Sequence, residues 1–283
     1  MIYVKLMGGM GNQMFQYSLG RLLSLEYNQE LTLDLSFLKN KNQPKDFVYR
    51  DYDLNIFNIN ANVIDELPRK KLARIQEHPN AYLVPDIVAK VGPYIKSGFD
   101  ILLEGYFQKN DYIEKIKTSL RQDFTLKKPL SSRSQDLLEK IKSTESVCLN
   151  VRRGDYVDNP NSSAFHGFHG VKYFSEALSS FHNLKEISLY VFSDDLKWCE
   201  ENIRFDYPIQ YIDHTYKGQN FGEYLELMKG CKHFIIPNST FGWWAAWLNE
   251  NPQKIVTTPR RWFLNDNAST VGLKPDQWIE IDY

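Results

Sequence analysis

The stretch VCLNVRRGDYV, Val147 to Val157, decides how the fold is read. Val147, Leu149 and Val151 alternate with Cys148 and Asn150 as in a strand, and Arg152, Arg153, Gly154 and Asp155 follow at once. Two adjacent guanidinium groups at the end of a buried strand are costly without partners. The same pattern, an apolar strand breaking into polar residues before a helix, recurs through the second half of the chain. EISLYVFSDD leads into the helical LKWCEEN, PIQYID precedes FGEYLELMKGC, HFIIPNS precedes TFGWWAAWLNE, and KIVTTP comes last. Five strands alternating with helices, KYFSEALSSFHNL among them, predict a parallel, doubly wound sheet. Ligands on such sheets bind beyond the carboxyl ends of the strands. The unusual polar residues sit at those ends: Arg152–Asp155, Ser193–Asp195 and Asn238–Thr240.

The first half opens in the same way. IYVKLMGG reads as a short strand ending in a glycine-rich turn, and NQMFQYSLGRLLSLEYN carries Met14, Leu19, Leu22, Leu23 and Tyr27 at helical spacing. Asn12 is placed as its N-cap, and ELTLDLS reads as a second strand. Between Phe37 and Ile101 the signal thins to Asn-rich loops (LKNKNQPKD, NIFNINANV) and a basic helical piece, ELPRKKLARIQEH. DILLEGYFQ reads as a buried strand, with Tyr106 and Gln108 just past its end as candidate contacts, followed by a helix from about Asp111 to Leu120. LKKPLSSRS is the best linker, which divides the chain into domains 1–130 and 131–283.

The 283 residues give room for one large domain or two medium ones. A net charge of −1 makes no electrostatic case for a nucleic-acid binder. The three cysteines, Cys148, Cys199 and Cys231, are widely spaced and read as reduced, buried thiols. No run approaches the ~18 apolar residues of a membrane span, and the opening residues do not read as a signal peptide. The expectation is a cytoplasmic protein, at most peripheral at a membrane face.

Each candidate constellation has a plain structural reading beside the chemical one. The turn MGGMGNQ can turn backbone amides and a helix start toward an anion or a sugar hydroxyl, or be a tight turn only. Its glycine spacing is not that of a dinucleotide fingerprint, and no lysine follows as in a P-loop. Arg152 and Arg153 match phosphate oxygens through charge-assisted hydrogen bonds, with Asp155 orienting one of them; the plain reading is a single structural Arg–Asp pair. Asp194 and Asp195 can read a guanine edge, cap a helix or hold a divalent metal, and Asp51 and Asp53 could imitate a metal-binding acid pair. Ser239 and Thr240 at a helix start form a phosphate-type cradle, whereas Trp243, Trp244 and Trp247 read as core. His166 and His169 lie in a Gly-punctuated loop that is a candidate cover for an acceptor site, with too few neighbours for a metal.

Taken in order, GGMGNQMFQYSLGRLL, EGYFQKNDYI, NVRRGDYV, VFSDDLKWC and IIPNSTFGWWAAWL resemble the α1,2-fucosyltransferases of glycosyltransferase family 11, from Gly8 to about Pro259. The resemblance implies a GT-B-like α/β fold of two Rossmann-type domains facing across a cleft, the C-terminal one holding GDP-fucose. It implies an inverting transfer of L-fucose from GDP-β-L-fucose to the 2-hydroxyl of a terminal galactose, with no metal required. The acceptor would be a galactose-terminated glycan such as an O-antigen or capsule, and a lipid-linked acceptor would account for any membrane association. Carried over by motif, Arg152 contacts the β-phosphate, with Arg153 and Asp155 fixing the site. Asp194 or Asp195 reads the guanine, Ser239, Thr240 and Phe241 cradle the diphosphate, and Asn12 with Gln13 approaches from the opposite domain. The family usually has His where this chain has Asn150, so no base is available at that position. The rival readings are a metal-dependent transferase of another nucleotide sugar and a catalytically idle glycan-binding protein.

Overall fold

The computed structural model describes residues 1–42, 48–76, 87–264 and 271–283; the side chains of residues 155, 158 and 160–162 lie outside this set. Contacts divide the chain into two units. The first runs from Met1 to Lys127 and is joined by residues 271–275 near the C-terminus, and the second takes the rest. The division at Lys127 falls three residues before the boundary expected from the linker, and the return of residues 271–275 to the first unit has no local sequence signal.

The first unit is built on five parallel strands: β1 (Ile2–Lys5), β2 (Leu31–Asp34), β3 (Asn62–Ile64), β4 (Ala73–Gln76) and β5 (Ile101–Glu104). Their order is β3-β2-β1-β5-β4. The chain therefore winds outward on one side of β1 and returns on the other, leaving a switch point at the carboxyl ends of β1 and β5. Ile2, Val4, Ile101 and Leu103 are wholly buried, as strands covered on both faces must be. Two expectations for residues 37–101 are corrected. No helix forms across ELPRKK; Pro68 interrupts that stretch, and Ala73–Gln76 pairs with β5 as an edge strand with Ile75 turned inward. The Asn-rich NIFNINANV runs into β3, an edge strand whose exposed Asn62 and Val63 hide the usual apolar pattern. The single helix expected over Asp111–Leu120 is two, Asn110–Lys115 and Lys117–Asp123.

The second unit carries six parallel strands rather than five: β6 (Glu145–Val151), β7 (Ile187–Ser193), β8 (Ile209–Ile212), β9 (His233–Ile235), β10 (Val256–Pro259) and β11 (Ile279–Ile281). The order β11-β10-β9-β6-β7-β8 puts its switch point between β6 and β9. The unforeseen β11 is a three-residue edge strand with two exposed residues, too short to show alternation. The tryptophans of the helix Thr240–Leu248 are core, as expected: Trp243 and Trp244 are wholly buried and Trp247 nearly so. All three cysteines are buried and free. No helix among the described residues is long and apolar enough to cross a membrane.

In the first unit the helix Met10–Tyr27 lies very close to the sheet at Gly20. A Cβ there would stand 2.6 Å from Val4 Cγ2 and 2.7 Å from Leu31 Cδ1, both in buried side chains. Gly20→Ala gains about 1 kcal/mol of helix propensity and incurs overpacking of about 1–3 kcal/mol. The expected result is a net loss of stability in urea titration, seen as a lower midpoint at unchanged slope.

Candidate active site

Parallel register explains the arginine pair. Val151 on β6 lies beside Ser193 on β7, so the residues that follow, Arg152 with Asp194 and Arg153 with Asp195, leave the sheet side by side. Arg152 Nη1 lies 2.8 Å from Asp194 Oδ2, and Arg153 Nη1 lies 2.5 Å from Asp195 Oδ2. The Arg153 backbone N–H also donates to Asp194 Oδ1 at 2.8 Å. Gly154 lets this happen, since a Cβ at that position would stand 2.8 Å from Asp194 Oδ2. The Arg153 guanidinium is further held near the rings of Phe168 and Trp198, 5.6 and 5.4 Å from their centroids. The Arg152 guanidinium lies 5.4 Å from the centre of the Tyr156 ring.

The Asp194 and Asp195 carboxylates each meet an arginine and remain about a quarter exposed. Asp195 is also the N-cap of the helix Leu196–Asn202, its Oδ1 accepting from the Trp198 N–H at 3.1 Å. Asp155, expected as the arginines' partner, has a side chain outside the described set. The partners that are seen come from the next strand over, a pairing that spacing along the chain does not reveal.

Across the switch point, β9 is followed by Ile236-Pro237-Asn238-Ser239, and the helix Thr240–Leu248 begins. Ser239 occupies the N-cap with no side-chain cap hydrogen bond, and Thr240 and Phe241 open the first turn, half-buried. The free amides of that turn and the positive end of the helix dipole suit an anion. Asn238 is buried and braces the cradle: its Nδ2 donates to the carbonyls of His166 (2.8 Å) and Trp262 (2.9 Å). The Tyr156 hydroxyl donates to the Asn238 carbonyl at 3.0 Å. Asn150 lies beneath this region, 7% exposed, with Nδ2 donating to the Phe192 carbonyl at 3.2 Å. Gly242 packs so closely that an added Cβ would stand 2.5 Å from Asn150 Oδ1.

The loop of the two histidines is bound into the fold. The His166 ring stacks on Tyr156 with centroids 4.5 Å apart, and His169 is buried, its Nδ1 in contact with the hydroxyl of the C-terminal residue, Tyr283. No group of three or more acidic, Cys or His residues among the described ones is arranged to hold a metal ion.

In the first unit, the glycine-rich turn places Gly8 at φ +73° and makes Gly9 the N-cap, so the helix begins at Met10. Asn12 is thus not the cap but a first-turn residue, whose Oδ1 accepts from Gln108 Nε2 at 2.9 Å, linking the ends of β1 and β5. Gln13 is wholly buried: Nε2 donates to the carbonyls of Gly8 (2.9 Å) and Asp51 (2.7 Å), and Oε1 accepts from the Asp53 N–H at 2.9 Å. It is a scaffold residue and not the ligand contact expected of it. Tyr106 is exposed beyond β5.

Burial pulls the His169 pKa down to about 4, with Asn238 beside it acting in the opposite direction. Between the ordinary value near 6.5 and about 4, the unfolded chain binds a proton that the folded chain does not, so stability falls as pH falls. Going from pH 7 to 4.5 costs ~2–3 kcal/mol through this group. The expected observation is that this acid-side loss of stability shrinks in His169→Gln, measured by denaturant titration at both pH values.

Comparison with known proteins places this geometry. The profile of "Glycosyl transferase family 11" matches residues 1–280. The O-antigen biosynthesis glycosyltransferase WbnK of Escherichia coli is 33% identical, covering 99% of this chain and 100% of that protein. An alpha-1,2-colitosyltransferase of Escherichia coli is 29% identical, over 99% of each. Galactoside 2-alpha-L-fucosyltransferase SEC1 of Bos taurus is 26% identical, over 68% of this chain and 52% of its own. Among solved structures, the NodZ α1,6-fucosyltransferase co-crystallised with GDP shares the fold at a TM-score of 0.53 and 12% identity, over 90% of this chain and 94% of its own. NodZ from Bradyrhizobium gives a TM-score of 0.51 at 13% identity, over the same 90% and 94%. The fold is GT-B-like, with one Rossmann-type sheet in each unit. With two doubly wound sheets, paired arginines at one switch point and a family match along almost its whole length, the chain belongs to glycosyltransferase family 11.

Proposed function

We propose that the protein is an inverting α1,2-fucosyltransferase that moves L-fucose from GDP-β-L-fucose to the 2-hydroxyl of a terminal galactose in a glycan. The observation that carries this reading is the pair of acid-braced arginines at the β6–β9 switch point, opposite an open helix start. The acceptor oxygen bonds to C1 of fucose as the bond from C1 to the β-phosphate oxygen breaks. GDP leaves with that electron pair, and the acceptor hydroxyl gives up its proton. Charge accumulates on the departing diphosphate, and Arg152, the Ser239 hydroxyl and the amides of Thr240 and Phe241 are the groups that stabilise it.

Asp194 and Asp195 orient the cations in advance, so little reorganisation remains for the transition state. Two arginines and a helix start supply the positive charge that a divalent metal gives other transferases, and the reaction is proposed to need no metal. Asn150 cannot accept a proton at neutral pH and is enclosed by Phe192 and Gly242. A second donor is favoured by one observation: the full-length similarity to an alpha-1,2-colitosyltransferase.

Arg152→Ala is expected to lower kcat by about 10²–10³ while the protein remains folded; a folded variant with near wild-type turnover would overturn the assignment. Transfer should persist in EDTA, and activity that vanishes there and returns with Mn²⁺ would contradict the metal-free mechanism. Side-by-side assays of the fucosyl and colitosyl donors on galactose-terminated acceptors should show preference for GDP-fucose; preference for the colitosyl donor would replace the donor and leave the fold reading intact.

A further inference from the structure

Past the end of β8, the second unit keeps an aromatic residue where local rules argue against one. Phe221 is the N-cap of the helix Gly222–Lys229, yet it has no side-chain oxygen to cap with, and its backbone is left-handed, at φ +61° and ψ 20°. Asn220 before it is left-handed too, at φ +47°. A left-handed backbone is strained for a bulky residue, and such strain persists where a ligand clamp uses it. Packing offsets only part of that strain, because the ring stays 38% exposed.

The ring is held by groups at the strand ends. His214 and Tyr224 meet it edge-to-face, at centroid distances of 5.4 and 5.8 Å. Tyr224 is buried and joins β7 to β8: its hydroxyl accepts from the Ser193 N–H at 3.1 Å and donates to the Ile212 carbonyl at 2.8 Å. His214 Nε2 lies 2.8 Å from the Ser193 carbonyl. A carbonyl only accepts, so Nε2 carries the proton and Nδ1 of this exposed ring is an acceptor. Ser193 is followed directly by Asp194, the partner of Arg152. The aromatic shelf and the arginines therefore lie along one row of strand ends, β6, β7 and β8, roughly 10 Å from first to last. A nucleoside diphosphate spans a comparable length from its β-phosphate to its base.

We propose that Phe221 is the stacking platform for the guanine of the donor, and that His214 Nδ1 accepts a hydrogen bond from the base's N1–H or 2-amino group. The inference rests on the transferase reading above. Stacking accounts for an aromatic ring that is left in water yet held in place. The acceptor favours guanine over adenine, whose N1 carries no hydrogen. Lys217 Nζ stands over the Phe221 ring at 6.0 Å, on an exposed side chain that yields the face to a base.

Calorimetry with guanosine, GDP, ADP and inorganic pyrophosphate tests this. Phe221→Leu keeps an apolar side chain against His214 and Tyr224 and removes the ring. It should weaken guanosine and GDP alike, by about 5- to 150-fold, with pyrophosphate affinity within twofold of wild type. Phe221→Tyr should keep both affinities within threefold. In turnover, Phe221→Leu should raise KM for GDP-fucose with kcat nearly unchanged, because stacking is the same in the ground and transition states. His214→Phe should lower the preference for GDP over ADP by about 2- to 12-fold; an unchanged preference would overturn the role of His214. A folded Phe221→Leu protein that binds guanosine as wild type does, or that loses pyrophosphate affinity in equal measure, would overturn the proposal and leave the transferase reading standing. A wild-type protein that neither transfers nor hydrolyses GDP-fucose would overturn that reading and this inference together.

Discussion

The second unit depends on one register. Because β6 and β7 run parallel with Val151 beside Ser193, the two residues after each strand are forced into neighbouring positions. Those residues are two arginines and two aspartates, and each cation meets its own acid. A shift of one residue would break both pairs and leave charges at a sheet edge without partners. The pairs are about a quarter exposed, so their net contribution to stability is modest. In the proposed function their use is positional: guanidinium groups already oriented would meet a diphosphate without first being gathered.

Around that register the sheet supplies the rest. The order β9-β6-β7 opens a crevice beside β6, and the helix start after β9 closes its other side with amides. Asn238 ties this helix start to His166 and Trp262, so the cradle is braced by side-chain bonds as well as by the sheet. The first unit repeats the plan with different chemistry. There the switch point carries Asn12, Gln108 and a half-buried carboxylate in place of cations.

Much of this was legible in the sequence because buried parallel strands and their polar ends are local signals. SVCLNVRRGD and VFSDDLKWC each announced a strand, a chemical change and a helix. What the residues alone did not give was their pairing, since register is a relation between strands. The bonds of the Asp194 carboxylate to Arg152 and the Arg153 amide were therefore not foreseen. Gln13 differed for another reason: it sits in the glycine-rich motif at the end of β1, yet its side chain turns inward to hold Asp51 and Asp53. The missed strands β3, β4 and β11 lie at sheet edges, where exposure erases the apolar pattern. Gly9 displaced Asn12 as the cap because an extended backbone sufficed at that position.

The central claim is that the arginines at the end of β6 exist to hold a diphosphate. Calorimetric affinities for GDP and guanosine, compared between the wild-type protein and Arg152→Gln, test it most directly. Charge-assisted hydrogen bonds of this kind are each worth about 1.5–3 kcal/mol, or about 10- to 100-fold in affinity. The wild-type protein should prefer GDP over guanosine by at least that factor, and Arg152→Gln should lose most of the preference with guanosine binding unchanged. An undiminished preference for GDP in the variant would contradict the account.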